Sequence, residues 1–267
     1  MNLRKYFTLI KAGILDFLQF RLGTFVIIVG NMIYLIVIYN LWKAIYASVD
    51  TPTVNGMTFE ETMIYLVLAS SMFSFMECFL VWEMGRSIQD GNITLALLKP
   101  MGYAKYQYFS LAVNLVASFF LTFIPTFIVI EIITNGAIRP GINLLFFLFS
   151  VILGTTINFA VDFFVGTICI YTESIWGINI MKEVIVMFLS GATVPLAFFP
   201  KTLRSIVDFL PFQAIYHTPL TILTDSTLTI PAMLSMLGMQ CIWVVVTLLI
   251  GNLFWHFSIR AITVNGG

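Results

Sequence analysis

Six apolar stretches, at about 22–43, 60–83, 106–132, 142–170, 176–196 and 232–257, restrict what this chain can fold into. A helix needs about 20 apolar residues, each rising about 1.5 Å, to cross the roughly 30 Å of hydrocarbon in a bilayer. All six stretches meet that length. Composition agrees, since 60% of the 267 residues are hydrophobic, 10% are charged and mean hydropathy is +0.99, whereas an ordinary soluble domain is about 25% charged. The expected fold is an all-α membrane protein with six transmembrane helices in a single transmembrane domain over 1–267.

Charge sets the expected orientation. Six spans leave both termini on one side. Arg4, Lys5, Lys11, Arg21, Arg86, Lys99, Lys105 and Arg260 fall on that side, against Lys43, Arg139, Lys201 and Arg204 on the other. The excess predicts both termini in the cytoplasm, in a multi-pass protein of the cell membrane. Trp42, Trp82, Trp176 and Trp255 fall at span ends, where an aromatic belt would place them. Ahead of the first span, Leu3, Phe7, Ile10, Ile14, Phe17 and Leu18 recur at helical spacing opposite Arg4, Lys5, Lys11, Asp16 and Arg21. That pattern predicts a helix over 2–21 lying in the membrane interface. It fits a signal peptide poorly, having neither a short basic start nor a small-residue cleavage site, so the chain is expected to keep its N-terminus.

Several function classes are disfavoured. Net charge is zero, so no basic surface argues for nucleic acid. Cys78, Cys169 and Cys241 lie in apolar runs without CxxC spacing and read as packing residues, with no metal site implied. No Lys follows a Gly, so the phosphate-cradling GxxxxGK[ST] loop is absent. His217 and His256 fall on opposite expected faces, and Ser190-Gly191 lacks the setting of a serine nucleophile. Glu60-Glu61 read as the start of the second span, favoured there by the helix dipole. No catalytic residue is expected.

The charges inside spans are more informative. Glu77, Asp162, Lys182 and Glu183 fall by residue count in the inner third of the bilayer, where charge must face charge or water. They could line a substrate entrance or neutralise a cationic substrate; alternatively a Lys182–Asp162 pair simply locks two helices. Phe119, Phe120, Phe123 and Phe127 repeat at helical spacing and could line an apolar path, with ordinary packing as the alternative. After Gly191, Pro195, Pro200, Pro211 and Pro219 divide a segment too apolar for a free loop and too broken for a span. Two short helices dipping back into the outer leaflet fit it, with Pro200 opening one, Ile206, Val207, Phe209 and Leu210 on its apolar face, and Pro211 stopping it. A hydrophobic loop packed over the bundle is the other reading.

The polar interruption GRSIQDGNITLALLKPMGYAKY, Gly85 to Tyr106, separates the second and third stretches. Ser87 and Asp90 can cap helical turns, Gly91 and Asn92 break the backbone, and Lys99, Pro100 and Gly102 end a short apolar turn over Leu95 to Leu98. A bare linker needs only a few residues, so a loop punctuated in this way is expected to touch a partner or to anchor at lipid headgroups.

Taken together, RKYFTLIKAGILDFLQFR, SIQDGNITLALLKPMGY, VPLAFFPKTLRSIVDFLPFQAIYHTP and the terminal Gly266-Gly267 resemble permease subunits of ATP-binding-cassette transporters of the type-2 family, in particular six-span multidrug or peptide exporters. The most specific parts are the I-x-x-G-x-I-x-x-x-L-L-K-P-M-x-Y spacing from Ile88 to Tyr103 and the F-L-P-F-Q run from Phe209 to Gln213. The resemblance implies a connecting helix at 1–21 and a coupling loop at 85–105, with Ser87, Ile88, Asp90, Gly91, Asn92, Leu95, Leu98 and Lys99 meeting a separate ATPase subunit. It implies re-entrant helices at 196–225 closing the exit, with Phe199, Phe209 and Phe212 as the outer gate. It further implies efflux of a hydrophobic or amphiphilic compound, a second permease subunit, identical or paralogous, as dimer partner, and ATP and magnesium bound only by the ATPase. The competing readings are a sensor or immunity protein that binds a peptide without moving it, and a membrane-embedded enzyme, for which the motif is missing.

Overall fold

Helix α1 (Arg21–Ala47) leads into a hairpin of β1 (Thr53–Val54) and β2 (Met57–Thr58), paired antiparallel with Val54 opposite Met57, in a computed structural model that describes residues 21–99, 101–138, 141–172 and 174–261. The helix expected at 2–21 lies outside the described residues except for Arg21, as do Pro100, Arg139 and Gly266-Gly267. Asn55 and Gly56 turn the hairpin at φ 51° and 85°, the left-handed pair that a two-residue turn demands. Thr58 then caps α2 (Phe59–Met76). Its Oγ1 accepts from Glu61 N at 3.2 Å while its own N–H donates to Glu61 Oε2 at 2.8 Å.

The second apolar stretch is not one helix. Helix α2 stops at Met76, and α3 (Leu80–Gln89) starts after Glu77, Cys78 and Phe79. Neither Gly nor Pro marks the break. Asn158 stabilises it from another helix, its Nδ2 donating at 3.0 Å to Met76 O, a carbonyl the α2 ladder leaves free. Beyond Gly91 (φ 72°) come the short α4 (Ile93–Leu97) and then α5 (Tyr103–Ser118), which runs through a π-helical turn, Phe119–Phe123, into α6 (Ile124–Ile133). Pro125 explains that turn, because it has no N–H for Leu121 O. Thr122 and Thr126 hydroxyls donate to Ser118 O and Thr122 O at 2.6 and 2.8 Å around it.

Helix α7 (Ile142–Ile168) is the centre of the bundle, packing along α11 (Ile230–Ser258) and against α3 and α10 (His217–Thr224). Helix α8 (Ile175–Leu189) precedes a broken segment of 3-10 turns at Leu196–Phe198 and Pro211–Ala214 flanking α9 (Lys201–Val207). Among the described residues, four helical stretches are long and apolar enough to cross a membrane: Phe59–Gln89, with the break inside it, Tyr103–Ile133, Ile142–Ile168 and Ile230–Ala261. The first expected span is described with its side chains only from Met32 to Ala47 apart from Gly30. The fifth differs from expectation: α8 has 15 residues and rises about 22 Å, short of the hydrocarbon thickness, because the chain turns at Ser190-Gly191 instead of continuing to 196.

The apolar core is divided between the two ends. At the hairpin end, α2, α7, α10 and Phe123 enclose Leu68, Met72, Phe147, Ile157 and Tyr216. At the α4 end, Leu80, Met84, Ile93, Tyr103, Phe159, Phe163 and Trp255 form a second cluster. Trp42 and Trp255 are core residues rather than exposed belt residues, edge-on to Phe198 at 4.5 Å and stacked on Tyr103 at 4.8 Å; Trp176 is exposed. Cys78 and Cys169 are buried, whereas Cys241 is exposed on α11.

Candidate functional site

Lys182 projects from α8 to Asp162 on α7, with Nζ 2.9 Å from Oδ1. Both side chains are buried, at 8% and 0% exposed. Such a pair survives in an apolar setting only when each charge meets the other, and losing one partner strands the second. Around it stand two more carboxylates: Glu183, held by the Asn179 amide one helical turn earlier, and Glu77 on the unwound stretch between α2 and α3. All four charges lie within electrostatic reach of one another. Glu77, Lys182 and Glu183 line a cavity of about 20 Å³ together with Phe73, Asn158 and Tyr216, room for about one water-sized group. The break after Met76 brings Glu77 to this cavity, and Asn158 holds the break.

The Phe residues at 119, 123 and 127 are brought together, but as packing. Phe123 is buried and sits 5.2 Å from Phe147 and 5.6 Å from Phe75; Phe119 meets Phe75 at 5.3 Å, and Phe127 stacks near Phe123 at 6.3 Å. They fill the space between α2, the π turn and α7, while Phe120 is exposed.

At the other end, Ser87 and Ile88 lie in the last turn of α3 and Asp90 caps its C-terminus, so Ser87 is a helical residue and not a cap. Asn92 begins α4, where Ile93 is 1% exposed and set into the second core cluster. Leu95 and Leu98 point away from it, 65% and 80% exposed. Lys99 places Nζ 3.5 Å over the Tyr106 ring. The result is an anchored short helix with an unpartnered apolar edge. Ile93, the second isoleucine of the spacing from Ile88 to Tyr103, is not among the residues expected to meet an ATPase, and the structure gives it the part of an anchor.

The three aromatic residues of the broken segment occupy different surroundings. Phe199 is buried against Phe188 at 5.1 Å, Phe212 packs on the main core, and Phe209 is 81% exposed. The apolar face expected on α9 divides likewise, with Val207 buried and Ile206 exposed. Tyr65 ties this segment to α2, its hydroxyl donating to Gly191 O at 3.0 Å beside His217 Nδ1 at 3.3 Å. A second polar junction, missed in the sequence, is Gln240 of α11. Its Nε2 donates to Ala214 O at 2.7 Å and Ser150 O at 3.2 Å, and its Oε1 accepts from Ser150 Oγ at 2.9 Å. A lone glutamine in an apolar span was the available signal.

Among the described residues no group of His, Cys, Asp and Glu is arranged to hold a metal ion. No curated protein and no solved structure matches the chain. The apolar helices make it an integral membrane protein, and the model of the ABC-2 family transporter proteins matches residues 32–266, so the chain belongs to that family and is an ABC transporter permease, a transport subunit whose family works with an ATPase partner.

Proposed function

We propose that this permease exports a hydrophobic or amphiphilic compound, such as a drug, an antimicrobial peptide or a lipid-like molecule, driven by ATP hydrolysis in a separate ATPase chain that docks on α4. The observation that carries the reading is the construction of α4: Ile93 is fixed in the bundle while Leu95 and Leu98 stand exposed. A partner seated on that apolar edge would push through Ile93 on Tyr103 and Trp255, which stack at 4.8 Å and belong to α5 and α11. Mechanical work at one short helix would thus reach two long helices and α7 behind them. Six crossings, the fifth made by the short α8 together with the turn that follows it, cytoplasmic termini, a second permease as dimer partner and re-entrant helices at 196–225 complete the proposed assembly.

Cross-linking tests it. A Cys introduced at Asn92 should form a cross-link to a co-expressed ATPase chain and stay unlabelled by membrane-impermeant thiol reagents outside intact cells. Labelling from outside would overturn the docking assignment, and purified permease that moves solute with no ATPase present would overturn the ATP-driven mechanism.

A further inference from the structure

The unused valences of the charged cluster are all acceptors. Asp162 Oδ2 and Asn179 Oδ1 have no hydrogen-bond partner, and their residues are 0% and 2% exposed. Asn179 cannot reverse its amide to cure this, because its Nδ2 is the group that reaches the Glu183 carboxylate. Three carboxylates, of Glu77, Asp162 and Glu183, face the one ammonium of Lys182, which Asp162 already pairs. A buried acceptor without a donor is costly, and so is uncompensated like charge. Glu77, Lys182 and Glu183 line the cavity, whereas Asp162 and Asn179 stand behind its wall, so a ligand there meets the Glu77 and Glu183 carboxylates, and one that relieves their excess charge is a cation with N–H groups to give.

We propose that this cluster binds the primary ammonium group of an amphiphile. Such a group has three donors and no acceptor. It also suits a cavity with room for about one water-sized group, with the rings of Phe73 and Tyr216 contributing to its wall. A trimethylammonium group is too large and carries no N–H, and an anion would add to the repulsion. Glu77 is exposed at the helix break beside Phe79, itself 61% exposed, so the apolar body of the molecule has an apolar surface to lie on. The assignment rests on the transport reading for its purpose and names the substrate class, although the lipid phosphatidylethanolamine carries the same chemical group.

Equilibrium dialysis of radiolabelled octylamine, octyltrimethylammonium and octanol against permease-loaded and empty phosphatidylglycerol nanodiscs, at neutral pH, tests it. Octylamine should bind saturably and about tenfold more tightly than the other two, the loss expected when a charge-assisted hydrogen bond is removed. Glu77→Gln and Glu183→Gln should each weaken it about fivefold to tenfold, whereas Glu60→Gln, an exposed charge in the first turn of α2 and far from the cluster, should leave it unchanged. Phosphatidylethanolamine in the discs either competes, making lipid the occupant, or does not, leaving an exported amine; both results support ammonium recognition. Equal binding of octanol, or wild-type affinity in both glutamine variants of normal elution profile, overturns it. No ATPase takes part, so failure here leaves the α4 docking reading intact, and failure of the Asn92 cross-link leaves this one intact.

Discussion

Two of the buried polar junctions in this bundle are built on opposite plans. The Gln240 junction joins α11, α7 and the turn at Ala214 with neutral groups, and the amide oxygen and nitrogen both have partners. The Lys182 junction joins α8 to α7 with charges, leaves two acceptors unpaired and borders a cavity. A satisfied neutral network holds helices together in an apolar medium at little electrostatic risk. An unsatisfied charged one is a poor way to hold helices, so its persistence points to use. Position agrees: the neutral junction sits where Gly154 lets the backbone of the 3-10 turn approach α7, and the charged one sits where α2 unwinds.

The largest effect should come from stranding a charge. Asp162→Ala takes from Lys182 the carboxylate it pairs with at 2.9 Å and should destabilise the protein by about 3–5 kcal/mol, seen as a loss of monodisperse yield and a lower unfolding midpoint in detergent. The double variant Asp162→Leu with Lys182→Met should recover most of that stability, because packed apolar residues replace a buried pair at little loss. Recovery of yield without octylamine binding would separate the junction's structural part from its use; if the double variant binds octylamine like wild type, the comparison fails.

Gln240→Leu should cost about 1–3 kcal/mol by leaving Ser150 Oγ and Ala214 O without their partners, with octylamine affinity unchanged. Gly154→Ala should cost about 1–2 kcal/mol, since a Cβ there would lie 2.8 Å from Ile215 O; thermal unfolding reads both. Smallest is Glu77→Gln, exposed at the break, which should shift stability by under about 0.5 kcal/mol while weakening octylamine binding. A large loss of stability in that variant would make Glu77 structural and remove the contrast between the junctions.

Much of this is legible in the chain because it is local. The Asn55-Gly56 turn, Thr58 with Glu61 at the start of α2, and Gly91 between α3 and α4 each follow from one or two residues and their immediate neighbours. The hairpin was nonetheless passed over, because strands of two residues carry no periodicity to count. The break after Met76 was not legible at all. Its apolar pattern is continuous, and the residue that supports it, Asn158, lies 82 positions away. The Phe run shows the converse: spacing put Phe119, Phe123 and Phe127 on one helix side, but only the positions of Phe75 and Phe147 reveal that this side faces the core.

Sequence alone determined that this chain is a helical membrane protein, because transfer of apolar side chains out of water and the turn chemistry of Gly, Pro and Asn act over a few residues. Tertiary structure decided which carboxylate meets Lys182, where α2 unwinds and which leucines of α4 stay uncovered. Those outcomes depend on helices that are distant in the chain, whose polar groups must find one another where there is no water to satisfy them.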